Sequence, residues 1–413
     1  MPIGIPDGAT WLGSATGREW TSHGADMERS DFLWDGFAWK LEYANKTSTN
    51  HVWGSWVDYT DRLLSFNFRR QVASWYRGPR AANGLFTIDD IDGDHGGDVA
   101  GKLRLTVTVP SGDYVLCEFL IMSSIHINTG SKYPVIRMTV TDWFGYEGEL
   151  RVNISDWEKN AATLLIDFLG SSGGATTGIT TGQGASMFYP LSANLFKNRN
   201  DVLSELVRGD LGMLWVDREG VWQYRSGYTS DGWWDTEPDE AVAAIGSAAG
   251  TPTHDYRFRF PLATVSHQMN LSEIKNNLEW ITQAAASPHT DTGANSKNSY
   301  GERFYIDTLR NKTDAQVATL IQRLGNHLGH DYNIATQSIT FPADLSVDAM
   351  EYAAIAELTD FLNIAVESLD GLWQEWEMVH VDGVGHSWSP TQGWVTTLST
   401  FSNLAAGYNQ GGS

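Results

Sequence analysis

Trp376-Glu-Met-Val-His-Val-Asp-Gly-Val-Gly-His-Ser-Trp-Ser-Pro-Thr-Gln-Gly-Trp-Val-Thr-Thr-Leu-Ser-Thr-Phe401 reads as the two strands of a closing β-hairpin. Trp376, Met378 and His380 alternate with polar neighbours, as on a half-buried strand. Asp382-Gly383 supplies turn chemistry, and Trp394, Val395 and Leu398 open a return strand after Pro390 and Gly393. A terminal strand must pair with something earlier. Upstream lie two groups of strands separated by helical material, which points to a mainly β fold with α+β insertions.

The same period of two recurs between 53 and 150. Leu103, Leu105, Val107 and Val109 share one face, with Arg104, Thr106 and Thr108 on the other. Ser111-Gly-Asp113 turns the chain into the run Tyr114 to Ile127, and Pro134 to Asp142 carries Val135, Ile136, Met138 and Val140. With Trp56 to Arg70, and Leu85 to Ile88 after Asn83-Gly84, these strands predict an antiparallel barrel or sandwich of roughly five or six strands. Residues 1–52 are rich in Gly, Ser, Thr and Asn with isolated aromatics. There, only Phe32 to Tyr43 suggests a hairpin, turning at Asp35-Gly36, so the segment reads as an aromatic N-terminal docking segment.

Residues 151–255 are mixed. Ala161 to Leu169 and Asn200 to Arg208 carry helical spacing, the second with Asn200 as N-cap and Gly209 as its stop. The low-complexity stretch Gly170 to Gly184 reads as an exposed loop that buries no apolar surface, and Gly212 to Arg225 as a hairpin turning at Asp217 to Gly220. The block 256–402 starts with Tyr256-Arg-Phe-Arg-Phe-Pro261, and its strongest helix signal is 313–329. Thr313 and Gln316 form a capping box there, Val317, Leu320, Ile321, Leu324 and Leu328 a buried stripe, and Gly329 the stop. Ile334 to Phe341 is strand-like, Met350 to Val366 is a mixed apolar stretch, and 403–413 reads as a flexible tail.

At 413 residues and 41% hydrophobic, the chain can fill the cores of about two or three domains. It has no run of ~18 apolar residues, and Met1 to Gly8 lacks the basic and apolar regions of a signal peptide, so neither a membrane anchor nor signal-directed export is expected. The single cysteine, Cys117, lies among Tyr114, Val115, Leu116 and Phe119 and reads as a buried small hydrophobe. Lys and Arg number 28 against 50 Asp and Glu, a formal net charge of -22, which disfavours sequence-specific nucleic-acid binding. Eighteen Trp with 41 Gly suit sheets, aromatic-rich interfaces and carbohydrate surfaces alike.

Three clusters invite chemistry. Asp89-Asp-Ile-Asp-Gly-Asp-His-Gly-Gly-Asp98 suggests calcium, and from Asp90 the EF-hand register places Asp92 and Asp94 correctly. It then puts His95 where glycine belongs and Gly101 where glutamate belongs, so the segment reads as a solvated connecting loop. Trp233 and Trp234 with Asp231, Asp235, Glu237, Asp239 and Glu240 have the ingredients of a glycosidase cleft and also the composition of any acidic loop. His380, Asp382 and His386 beside a tight turn read as hydrogen-bonded structural residues in preference to a metal site. No nucleophile elbow, Walker loop, paired-cysteine motif or Rossmann fingerprint occurs. No catalytic, cofactor-binding or metal-binding residue is assigned, and no cofactor is expected.

Several pieces, in this order, resemble the minor tail proteins of long-tailed (siphovirus-type) phages, in particular the tail-tip or baseplate hub. They are Trp56-Val-Asp-Tyr-Thr-Asp-Arg-Leu-Leu-Ser-Phe66, Asn83-Gly-Leu-Phe-Thr-Ile-Asp-Asp-Ile-Asp-Gly93, Gly212-Met-Leu-Trp-Val-Asp-Arg-Glu-Gly220, Ile274-Lys-Asn-Asn-Leu-Glu-Trp-Ile-Thr282, Ser299-Tyr-Gly-Glu-Arg303 and Val384 to Leu398. The resemblance implies two tail-tube-like antiparallel β-barrel domains, 53–150 and 256–402, with outer mixed lobes from 151–255. It further implies a homotrimer seated on a distal tail protein or tail tube ring, beside other tail-tip proteins or fibres. Its channel would carry the tape measure protein and then DNA, which is met only in passage. The protein would be made in the bacterial host cytoplasm and located in the virion, at the phage tail tip, without enzymatic activity. The acidic surplus would then have a role if carboxylates line the channel. Two rivals of other classes are a host-surface carbohydrate-binding tail protein, from the Trp and Tyr content, and a tail-associated glycosidase using Asp231, Asp235 or Glu237.

Overall fold

The structure, a computed structural model, describes residues 36–47, 52–74, 80–90, 101–127, 134–147, 151–152, 157–169, 175–181, 186–189, 197–210, 212–226, 240–245, 255–260, 264–269, 277–282, 304–309, 335–367 and 374–402. Most of the aromatic N-terminal segment, the helix expected over 313–329 and the tail 403–413 lie outside these residues.

The described residues are mainly β. Fourteen strands join in one sheet. They are β1 (Ala38–Asn45), β2 (Val57–Asp58), β3 (Leu63–Gln71), β4 (Asn83–Asp89), β5 (Gly101–Val109), β6 (Gly112–Ile127) and β7 (Val135–Thr141), then β8 (Glu240–Ile245), β9 (Asp255–Phe260), β10 (Thr264–Met269), β11 (Ala335–Pro342), β12 (Phe361–Glu367), β13 (Gln374–Ser389) and β14 (Gly393–Ser402). The main path runs β9-β8-β12-β13-β3-β4-β7-β6-β5-β1-β2, and a branch leaves β13 through β14 and β11 to β10. The sheet does not close into a barrel, because this path ends at β9 and β2. Two parallel pairs, β8 with β9 and β8 with β12, depart from the antiparallel expectation.

The closing hairpin forms, but its turn is elsewhere. Asp382-Gly383 does not reverse the chain; β13 passes straight through it with a bulge between Val381 and Gly383. The reversal comes at Pro390 to Gln392, where Gln392 N donates to Ser389 O at 3.2 Å and Gly393 takes φ +71°. A flexible Asp-Gly pair serves a bulge as readily as a turn. The bulge has an architectural effect. Before it β13 pairs with β12, and after it with β3, so one strand spans two parts of the sheet.

The core lies between the sheet and helix α4 (Val347–Ile355). Phe66, Phe68 and Phe86 from β3 and β4, Leu103, Leu105 and Val107 from β5, and Trp394 and Leu398 from β14 meet Tyr352 and Met350. Each such side chain, once buried, stabilises by about 1.5–3 kcal/mol. The alternation of β5 holds as read, with four apolar positions buried and Thr108 exposed.

A second core forms an outer lobe. It packs α1 (Trp143–Glu147), α2 (Ala161–Leu169) and α3 (Arg199–Gly209) against the hairpin Met213–Val216 and Trp222–Arg225. That hairpin turns where expected, with Asp217 Oδ1 accepting from Glu219 N and Val221 N at 2.9 Å each. Two expectations are corrected. Asn200 is not the cap of α3: Asn198 precedes the helix, and the Asn200 amide donates to Phe144 O at 3.4 Å. Nor is the whole Gly/Thr-rich stretch free of apolar burial, since Ile179 is 4% exposed and Trp222 N donates to Ala175 O at 2.8 Å. A single isoleucine among glycines and threonines is enough to anchor it.

Candidate functional site

Register places one side of eight neighbouring antiparallel strands, β10-β11-β14-β13-β3-β4-β7-β6, on a common face opposite the core. One row across it runs Thr264, Thr340, Thr397, Gly385, Arg69, Asn83, Thr141. The next runs Pro342, Val395, Ser387, Asn67, Leu85, Thr139, Ser123. A third carries Ser65, Thr87, Arg137 and Ile125. Asn67, Arg69, Asn83, Leu85, Arg137, Thr139 and Ile125 are exposed. Short hydroxyl and amide side chains dominate, Arg69 donates to the Ser399 hydroxyl, and the apolar exceptions are Pro342 and Val395 on β11 and β14 and Leu85, Met122 and Ile125 toward β6. Among the described residues this face carries Asp89 at the end of β4, 8% exposed, Glu118 on β6, held by Lys102 and Arg104, and the exposed Asp113 near the start of β6, whose carboxylate accepts from the Thr108 hydroxyl at 2.6 Å. Exposed carboxylates such as Asp58, Asp61, Asp201 and Asp344 sit elsewhere.

On the core side, a charged junction joins the lobe hairpin to the turn after α4. Arg70, 2% exposed, donates to Glu357 Oε1 at 2.5 Å and to Ala356 O at 3.0 Å. Arg218 donates through its side chain to Ala354 O at 3.3 Å, and Glu357 N donates to Asp360 Oδ2 at 2.9 Å. Thr359 within this turn has φ +76°, a rare value for a β-branched residue. Its N–H donates to Val381 O, and Val381 N donates to Asp360 O, both at 2.8 Å, so the turn is fastened to the bulge of β13. Burial, reinforced by the nearby Glu357 charge, pushes the Asp360 carboxyl up to about 7. Burial also lowers Arg225.

The chemistry candidates read from sequence stay apart. His386 is 2% exposed, with Nδ1 3.1 Å from Thr396 Oγ1 and 3.3 Å from the Trp394 indole N–H that donates to it. His380 packs edge-on against Phe361 at 4.4 Å between ring centres. Burial, then the charge of Arg225 for His380 and Arg70 for His386, lowers both histidines to about 3, so they stay neutral. Together with Asp382 they form no metal-binding group among the described residues. Of the acidic cluster, Asp89 and Asp90 are described and buried; Asp90 lies 3.6 Å from His126 and its N–H donates to Pro134 O at 2.9 Å. Asp92, Asp94, His95 and Asp98 lie outside the described residues, as do Asp231, Trp233, Trp234, Asp235, Glu237 and Asp239; Glu240 begins β8. Cys117 is fully buried, which raises its thiol. The polar face went unread in the sequence. Its local signal is the type of polar residue that alternates with core positions, as in Ser65, Asn67 and Arg69, which carries no acid.

No helix among the described residues is long and apolar enough to cross a membrane. No protein-family description matches the chain, and no curated protein matches it by sequence. Among solved structures, the fold is shared with the tail protein from Neisseria meningitidis MC58, at a TM-score of 0.57 and 8% identity over 89% of this chain and 97% of that one. More distant likenesses are a prophage tail protein from Listeria monocytogenes EGD-e (TM-score 0.49, 13% identity, 87% and 94% covered) and the prophage MuSo2 43 kDa tail protein from Shewanella oneidensis (0.48, 10%, 87% and 96%).

Proposed function

We propose that this chain is a structural, non-enzymatic virion protein of a phage tail, acting as a homotrimeric hub at the tail tip. It joins the tail tube or distal tail ring to the tip proteins and encloses the channel through which the tape measure protein and DNA pass. The observation that carries this reading is the fold shared with a solved tail protein over nearly the whole of both chains. In this reading 53–150 and 256–402 supply two tube-like β units, and 151–255 the outer lobe. The pairing of β3 with β13 supports a rigid union of those units, and the separate core of the lobe supports an outer position for it.

The test is the mass of the purified protein by light scattering over a concentration series, followed by electron microscopy of the same sample. A threefold mass and annular particles are expected. A monomer at every concentration, with no rings seen, overturns the hub.

A further inference from the structure

We infer that Asp90 and His126 bind a divalent transition cation of the zinc, nickel or cobalt class, which clamps the end of β4 to the Ile121–Ile127 half of β6 across β7. The site is independent of the tail role proposed above.

Register brings the pair together. On the core side of the sheet, Ile88, Ile136 and His126 form one row across β4, β7 and β6. Asp90 follows Ile88 by two residues, and its N–H extends the ladder to Pro134 O at 2.9 Å, so its side chain stands on the same side as His126. The strands β4 and β6 lie about 9.6 Å apart, with β7 between them. The carboxylate and the imidazole nevertheless meet over β7, with Asp90 Oδ2 3.6 Å from His126 Nδ1.

The carboxylate has an unmet need. Asp90 is 4% exposed, and its Oδ1 is buried without a hydrogen-bond partner. A buried carboxylate oxygen in that state is costly until a donor or a cation reaches it. Oδ2 is little better served, because 3.6 Å is too long for a hydrogen bond to the ring. Among the described residues His126 is its ion-pairing neighbour, and no lysine or arginine stands in for it.

Ligand chemistry selects the cation. An ion about 2.0–2.2 Å from each atom would bridge the two at an angle of about 120°, near what a four-coordinate ion accepts. An imidazole nitrogen beside a carboxylate favours borderline-soft cations over calcium and magnesium, which take oxygen ligands. The chain supplies two ligands here, since no group of three or more His, Cys, Asp and Glu fit to hold an ion stands together among the described residues. The His126 side chain is 41% exposed, so water reaches the remaining positions.

The test uses the full chain, stripped with EDTA, dialysed and titrated with zinc chloride. Calorimetry should show one zinc per chain bound ahead of any weaker sites among the 11 histidines, with a saturable rise in melting temperature. Cobalt chloride should give the visible absorption of a low-coordinate ion without a thiolate band, Cys117 being fully buried. That first equivalent should be missing from both Asp90→Asn and His126→Gln. His126→Gln changes a partly exposed side chain and should keep the parent's circular dichroism, so it decides the matter even if Asp90→Asn fails to fold. Zinc bound equally by His126→Gln places the ion elsewhere and overturns the inference. Absence of binding by the parent overturns it too and leaves Asp90 and His126 as an ion pair formed only with a protonated imidazole. Calcium competing on equal terms with zinc overturns it as well, because the imidazole is then no ligand.

Discussion

Arg70 lies in the core with its guanidinium on Glu357, and the two members of the pair differ in their access to water, 2% against 25% side-chain exposure. Removing the partner of a buried charge is strongly destabilising. Arg70→Ala should therefore lower the unfolding free energy by about 3 kcal/mol, the mild end of the usual range because Glu357 can rehydrate. Glu357→Gln should cost at least as much, since Arg70 has no route to solvent; urea midpoints of the two variants compare them directly. Asp360 gives a pH-dependent counterpart. Its folded value of about 7 exceeds the ordinary 3.8, so the folded state binds the proton more tightly. Its stabilising contribution is complete below about pH 4 and lost as pH rises through 7. His380 and His386, depressed to about 3, act in the opposite sense, favouring the fold as pH rises from 3 through 6.5. Asp360→Asn should accordingly gain stability over the parent as pH climbs from 4 to 8, by on the order of 2–4 kcal/mol in total. Parallel melting curves across that range read the difference, and two curves of constant separation would refute it.

At the scale of an element, α4 offers the cleanest test. Ser346 caps it, its hydroxyl accepting from Ala349 N at 3.0 Å. Ser346→Ala should cost about 1 kcal/mol in thermal or denaturant unfolding. Strands such as β5 were legible in the sequence because their burial alternates with period two, and the lobe hairpin because Asp217 and Gly220 meet the needs of its turn locally. The bulge at Asp382-Gly383 was not, since the residues that force the chain onward, Gln71 and Arg70 on one side and Ser399 and Leu398 on the other, lie far away in sequence. The cap of α3 was misplaced by two residues for a related reason: two asparagines stand in reach, and the tertiary contact of Asn200 with Phe144 decides between them. The polar face was hidden for the same cause at greater length, because no one strand displays it and only the registers of eight assemble it.

For the whole molecule, self-association has to overcome the repulsion of chains that each carry -22. Raising salt from about 0.01 M to about 0.15 M shortens the screening length from about 30 to about 8 Å. The proposed trimer should therefore assemble at lower protein concentration in the higher salt, as sedimentation velocity can show. Weakening by salt would instead indicate contacts built on ion pairs. The union of distant segments has a further consequence, for biosynthesis. Arg69 and Ser399, which bond across the forked strand β13, are 330 residues apart. At synthesis rates of about 5–20 residues per second, β3 waits roughly 20 s to a minute for its neighbour to leave the ribosome. Throughout that interval the nascent chain presents the aromatic edge of Phe66 and Phe68 unpaired, a template for pairing with the wrong strand. Slower translation lengthens this exposure, so soluble yield should depend on growth temperature and on chaperones that shield strand edges, independently of how stable the finished protein is.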